Sequence, residues 1–271
     1  MADTKQTPAT ARYGDDDVTL DVHHEMIDLL LRHRSVRRFG TGRVSEEQVR
    51  ALVAAAQSAP TSSNLQPWSV VAVRDPERKE RLAHLAAGQR FVAECSVLLV
   101  WVADLGRARR LAARQDTELA ATTYLESTLI AFIDTALAAQ NAVVAAEALG
   151  LGTTFVGAMR NHPDDVAAEL GLPEHTVAAF GLAVGVPDPA EPADVKPRLP
   201  QSAVLHHERY DAERADAGIP AYDDALAAYN ARFDLVGGWT SRVLARLHGP
   251  ESMAGRHVLR QVLEGRGLPS R

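Results

Sequence analysis

One segment limits the fold before any other is read. Over residues 118–150 the chain is mostly helix formers, with a few early threonines and Gly150 as the stop. Glu126, Asp134, Gln140, Asn141 and Glu147 interrupt an otherwise apolar surface. A long helix that is apolar on more than one side must be covered on more than one side. It therefore lies at the centre of a domain or in a dimer interface, and the remaining elements must pack around it.

Those elements alternate between helix and strand patterns. An amphipathic helix begins near Asp21, with Met26, Ile27, Leu30 and Leu31 on one face, and ends in a basic segment, residues 32–39. A second starts at Ser45: Ser45 and Gln48 have capping-box spacing, Val49, Leu52, Val53 and Ala56 form the stripe, and Pro60 stops it. Residues 59–67 are a loop, 68–74 a strand, 76–87 a helix and 97–102 a continuous apolar strand. Beyond the long helix come strands over 153–156 and 177–186 around a helix over 163–170. A proline-rich loop over 187–200 and two or three short helices over 223–265 complete the chain. Without a regular βαβ beat this is an α+β fold. Residues 1–20 read as a disordered leader. Residues 21–271 read as one domain with a helical C-terminal extension from about 222.

Composition excludes several classes. The 271 residues are 46% hydrophobic and 24% charged, as in a globular protein. A net charge of −6 argues against a nucleic-acid partner, which needs a basic face. The single cysteine, Cys95, allows no intrachain disulfide and reads as a core residue. There is no secretory signal and no run of 18 apolar residues, so no membrane partner is expected and the cytoplasm is the default compartment. Gly40-Thr41-Gly42, Gly150-Leu151-Gly152 and Gly237-Gly238 do not extend to a dinucleotide fingerprint. No phosphate-binding P-loop and no nucleophile elbow occurs. The pairs His23-His24 and His206-His207 point their side chains apart, and no metal is expected.

Three segments suit a polar ligand, and each admits a plainer reading. Arg34 and Arg37 flank Ser35 within one turn, which could clamp a phosphate or simply neutralise a helix end. Thr61, Ser62, Ser63, Asn64 and Gln66 crowd hydroxyls and amides into one loop, as ligand loops and ordinary turns both do. Lys196-Pro197-Arg198 sets two cations around a stiff proline in a chain with 26 arginines and only 3 lysines, or is a solvated loop.

Taken in order, the segments resemble the nitroreductase family, in its NADPH-dependent branch of oxygen-insensitive nitroreductases and flavin reductases. The shared pieces are His33-Arg34-Ser35-Val36-Arg37, Ser62-Ser63 with Leu65-Gln66, Gly88-Gln89, and Asp134-Thr135-Ala136 with Ala139-Gln140-Asn141-Ala142. Gly150-Leu151-Gly152, Phe155-Val156-Gly157, Arg160-Asn161 and Lys196-Pro197-Arg198-Leu199-Pro200 follow. The resemblance covers roughly residues 26–210 and is weaker beyond.

It implies a mixed central β-sheet flanked by helices and an obligate homodimer with FMN at the subunit interface. His33, Arg34, Ser35, Arg37, Lys196 and Arg198 would bind the phosphate and pyrimidine side of FMN. Thr61, Ser62, Ser63 and Gln66 would lie along the cofactor, and Gln89 would contact the ring. Phe155, Val156 and Gly157 would flank the isoalloxazine. No protein acid or base is required, since FMN carries the chemistry. The implied activity is ping-pong, two-electron reduction of nitroaromatics, quinones or similar acceptors by NADPH, with NADH also possible. Two alternatives remain: a flavin reductase supplying reduced FMN to a partner monooxygenase, and a flavin-binding sensor with little turnover.

Departures from the branch sharpen the expectations. Phe155 stands where Tyr is usual and Ala158 where Gly is usual, which would add a methyl beside the flavin. The region 232–239 is shorter than the branch's basic loop and lacks paired arginines, leaving Arg160 as the candidate for a nicotinamide phosphate.

Overall fold

The computed structural model describes residues 8–14 and 20–271. In chain order its elements are α1 (Pro8–Tyr13), α2 (Glu25–Leu31), α3 (Glu46–Gln57), β1 (Trp68–Val73), α4 (Pro76–Leu85), α5 (Arg90–Glu94), β2 (Val97–Asp104) and α6 (Gly106–Arg114). There follow α7 (Leu125–Ala148), β3 (Gly152–Val156), α8 (Pro163–Leu170), β4 (Thr176–Gly185), α9 (Ala212–Ala217), α10 (Ile219–Ala231), α11 (Trp239–Leu247) and α12 (Leu259–Gly265). They divide into two compact units, residues 1–34 with 192–252 and residues 35–191 with 253–271. The boundary differs from that of one domain with an extension from about 222. The segment 192–252 groups with the N-terminal helices, and the last residues group with the sheet.

The second unit is built on a four-stranded sheet in the order β1-β2-β4-β3. Every pair is antiparallel, so the expectation of a mixed sheet is corrected among the described residues. A parallel neighbour needs a single return crossover. The β1–β2 link carries two helices, α4 and α5, and the β3–β4 link carries a 3-10 turn, Gly157–Arg160, before α8. The chain thus re-enters the sheet running the other way. β2 is buried at all eight positions, as its apolar run requires.

Alternation along β2 sorts the core into two layers. Val97, Leu99 and Trp101 face the helices α3 and α7, packing with Leu52, Ala56, Ala138, Ala142 and Ala146. Leu98 and Val100 face α4, α5 and α8, packing with Leu82, Val92 and Val166. The helix α3 begins where its capping box dictates: Gln48 N–H donates to Ser45 Oγ at 3.1 Å, and Ser45 N–H to Gln48 Oε1 at 2.8 Å.

At 24 residues α7 is about 36 Å long. Its buried face is mostly small residues, including Ala131, Ala138, Ala139, Ala142 and Ala146, so its backbone lies close to α3. Asn141 Nδ2 donates to the Ala55 carbonyl of α3 at 3.1 Å. On the opposite side Leu125, Leu129, Ile133 and Leu137, four apart, are 41% to 54% exposed. By length and apolar composition α7 could also cross a bilayer, contrary to the expectation of no such segment; here it packs as a core helix.

The segments 253–271 close the far end of this unit. Leu268 is 2% exposed among Ala103, Leu105, Ala131 and Val177. The Arg266 guanidinium donates to the carbonyls of Thr176, Leu172 and Pro173 at 2.7, 3.1 and 3.0 Å.

The first unit is helical and lacks strands among the described residues. Of the leader expected to be disordered, residues 1–7 and 15–19 lie outside the described residues, whereas Pro8–Tyr13 is helical with Ala9 and Arg12 buried. The helix α2 starts at Glu25, where His24 Nδ1 accepts from Met26 N–H at 3.2 Å. Its expected core stripe is not buried: Met26, Ile27 and Leu30 are exposed. Leu268→Ala is expected to lower unfolding free energy by about 2–5 kcal/mol, read from denaturant midpoints. An unchanged midpoint would mean that the tail unfolds independently of the sheet.

Candidate functional site

The loop after α3 is where backbone strain concentrates. Ser63, Asn64 and Gln66 have φ of 48°, 55° and 48°, left-handed values that non-glycine residues avoid. Such conformations persist only where the surroundings enforce them. The enforcing group is Asp134 of α7, 3% exposed. Its carboxylate accepts from Thr61 Oγ1 at 2.5 Å and from Ser62 N–H at 3.2 Å. Thr61 Oγ1 in turn accepts from Gln66 N–H at 2.9 Å. Thr61 is thus an organiser of the loop, and Ser62, Ser63 and Gln66 are displayed on the surface.

Ser35 and Arg37 are positioned by Val36 between them. The Val36 N–H donates to the Thr153 carbonyl of β3 at 2.8 Å, and its side chain is 3% exposed. Gly152 makes this approach possible, since a Cβ there would lie 2.7 Å from a Val36 methyl. Phe39 sits likewise against Gly185, where a Cβ would come within 2.6 Å of the ring. Arg37 donates its backbone N–H to Glu191 Oε1 at 2.7 Å and keeps an exposed side chain.

At the end of β3, Phe155 is 43% exposed and stands edge-on to Phe180, with ring centroids 5.2 Å apart. Val156 is 1% exposed and belongs to the core, so what it can offer a ligand is its backbone. Ala158 is also a core residue, and its methyl packs inward rather than beside an open face. Gly157 opens the 3-10 turn that carries Arg160. A carbon on Gly157 would lie 3.5 Å from a guanidinium nitrogen of Arg160 and 3.9 Å from one of Arg256. Arg160 is held by the Ala179 carbonyl, and Arg256 by the Met253 carbonyl at 3.0 Å. Gln89 caps α5, half-buried, just after the left-handed pair Ala87 and Gly88.

His33, Arg34, Lys196 and Arg198 fall in the first unit. Lys196 Nζ lies 5.7 Å from the centroid of the Tyr229 ring. Tyr229 donates its hydroxyl to the Asp194 carbonyl at 2.8 Å, and Arg232 pairs with the Asp194 carboxylate at 2.6 Å. Burial works against ionisation of Asp194. Hydrogen bonds from Arg232 and the Val195 N–H, with the fields of Arg232 and Arg34, outweigh it and lower its pKa. Arg198, exposed, borders a cavity of about 400 Å³ with Tyr222, Tyr229 and Arg232.

Comparison with known proteins identifies the family. The model of the Nitroreductase family matches residues 30–186, and that of the Nitroreductase family, C-terminal domain matches residues 196–271. The chain belongs to the nitroreductase family. It is 38% identical over 208 residues to an FMN reductase [NAD(P)H] of Bacillus subtilis, covering 76% of this chain and 83% of that protein. It is 39% identical over 204 residues to an oxygen-insensitive NADPH nitroreductase of Salmonella typhimurium, covering 75% and 81%. The solved structure of the oxidoreductase YcnD from Bacillus subtilis matches with a TM-score of 0.85 at 34% identity, over 90% of this chain and 98% of that one.

Two residues that shape this region escape sequence reasoning. Asp134 stood inside a matched motif, but its partners are 72 and 73 residues away and no local pattern reveals them. Arg256 follows Gly255, whose φ of 85° and approach to the Asn161 carbonyl bring it beside Arg160. A glycine-arginine pair in the tail was the one available signal. Asp134→Ala is expected to leave the Ser62 N–H without its acceptor at a cost of about 1–3 kcal/mol. The amides of Ser62 and Gln66 should then exchange hydrogen faster while those of β2 keep their protection. Unaltered exchange at both loop amides would refute the assigned role.

Proposed function

We propose that this chain is an FMN-dependent NAD(P)H oxidoreductase that reduces small acceptors such as nitroaromatics and quinones by two electrons. The observation that carries this is the donor set itself. FMN offers a dianionic phosphate, a polar chain and a flat ring, and the residues present match each part. Arg34, Lys196 and Arg198, all in the first unit, supply charge that suits a phosphate. Ser62, Ser63 and Gln66 offer hydroxyls and an amide on a rigid loop. Phe155 offers half of an aromatic ring at the end of β3.

FMN, when bound, supplies the redox chemistry between a reduced nicotinamide and the acceptor. The protein's part is placement and charge. Arg37 and the other cations favour a negatively charged ligand and stabilise negative charge that develops on it, an advantage that grows where water is excluded. Phe155, without a hydroxyl, gives an apolar wall that selects acceptors by shape rather than by hydrogen bonding.

Arg160 and Arg256, whose guanidiniums both reach the vicinity of Gly157, supply what the short 232–239 region lacks. Two planar cations near one backbone position suit the extra phosphate of NADPH. NADPH is therefore the proposed donor, with NADH a slower one, and a cytoplasmic location follows from the use of reduced nicotinamides.

The exposed stripe Leu125, Leu129, Ile133 and Leu137 supports a homodimer. A repeated apolar row on a helix that is already half-buried suits a self-complementary interface with a second copy. Ile133→Glu is expected to give a monomer by light scattering and to loosen flavin retention. A dimer of unchanged mass would place the interface elsewhere.

Names among the relatives also favour a second use of the same site, reduction of free flavin. The deciding experiment is an absorbance spectrum of the purified protein followed by anaerobic NADPH or NADH. Two visible flavin bands should appear and bleach, faster with NADPH, and Arg256→Ala should erode that preference while sparing NADH. A protein that cannot be loaded with FMN would sink the proposal. Turnover with free FMN far above that with a quinone or nitroaromatic would assign it to flavin reduction.

A further inference from the structure

Arg12 lies in α1, ahead of the first residue that either family model matches. It is 5% exposed, and an arginine is almost never buried so fully without dedicated partners. Among its partners are backbone carbonyls from two separate segments. One terminal nitrogen donates to the Leu31 carbonyl at 2.8 Å and the His33 carbonyl at 2.7 Å. The other donates to the Lys196 carbonyl at 2.6 Å. The connection is reciprocal, since the Arg12 carbonyl accepts the N–H of Arg198 at 3.0 Å. Residue 12 is thus stitched to the chain on either side of Pro197 and to the residues just before Arg34.

A guanidinium holds its donors in one rigid plane, so three carbonyls bound to it keep a fixed spacing. Without it, those carbonyl dipoles would face one another unpaired, and the segments would lose their mutual register. The side chains nearby repel in the same sense: Arg34, Lys196 and Arg198 carry like charges, with Arg34 felt at both Asp194 and Tyr229, and Lys196 lying by the Tyr229 ring.

We propose that Arg12 is a positioning residue for the phosphate end of the flavin site. It fixes segment 31–34 against segment 196–198, so that Arg34, Lys196 and Arg198 meet an incoming phosphate already assembled. Arg12 does not itself touch the ligand; its guanidinium is occupied by carbonyls. The inference rests on the FMN reading above. Its physical content is preorganisation: gathering like charges is done on folding, and the ligand does not bear that cost on binding.

The test compares FMN with riboflavin, which lacks the phosphate, on the full-length chain freed of flavin. Dissociation constants are read by fluorescence quenching, beside thermal unfolding of the same samples. Arg12→Ala should weaken FMN by about tenfold or more while riboflavin changes little, so the preference for FMN collapses. Arg12→Lys, whose ammonium cannot span three carbonyls in a plane, should fall between the two. If Arg12→Ala does not fold, the FMN-to-riboflavin ratio of Arg12→Lys is decisive in its place. An unchanged ratio overturns the proposal. So does a parallel loss of both ligands with a falling melting temperature, which would make Arg12 a packing residue only. A wild-type chain that binds FMN no better than riboflavin would overturn the phosphate-site reading itself, and this proposal with it.

Discussion

A carboxylate buried in a core has to be matched by donors or it destabilises everything around it. On α7 that carboxylate is Asp134, and its donors come from the strained loop of residues 61–66. The two needs are met together. The loop holds left-handed backbone at three non-glycine positions because its first hydroxyl and first amide are anchored, and the carboxylate is tolerated because they are there. The geometry of the displayed serines is thus set from inside the core. Any change to the packing of α7 is transmitted to them without passing through the sheet.

The second constraint is close approach. The small residues on the buried face of α7 bring it against α3, and Gly152 and Gly185 let Val36 and Phe39 lie flat on the strand edge. Each depends on the absence of a side chain, so substitutions to larger residues would be felt at a distance. A Cβ on Gly152 would push Val36 outward and with it Ser35 and Arg37, leaving the donor residues chemically intact and wrongly placed. That distinguishes positioning defects from loss of a ligand contact: binding weakens while the local chemistry is unaltered.

What was legible in the sequence was what local rules govern. The capping box at Ser45 and the apolar run of β2 are legible from spacing alone, because each is decided within a few residues. The helix α6 is hard to read from spacing, since four arginines in nine residues hide its pattern. Strand direction was misjudged because it depends on how many helical traverses each link contains. The family resemblance named donor residues but not what orders them. Asp134, Arg256 and Arg12 act through partners far along the chain, and the side chains of Val156 and Ala158 pack in the core. Residues that touch a ligand leave a motif; residues that hold those residues leave only a contact.

The cations pose the remaining physical question, since the chain as a whole carries a net charge of −6 and yet collects arginines and a lysine in small spaces. Like charges in one place oppose folding unless something of opposite sign or polarity is interleaved. In the first unit that role is shared: the Asp194 carboxylate takes Arg232, the Tyr229 ring faces Lys196, and backbone carbonyls take Arg12 and part of Arg198. Carbonyls differ from carboxylates in one respect that matters here. They satisfy the donors of a guanidinium without cancelling its charge, so the positive potential survives for a ligand. At Arg12 the carbonyls of Leu31, His33 and Lys196 let an arginine serve as a structural donor that ties two segments of the chain together.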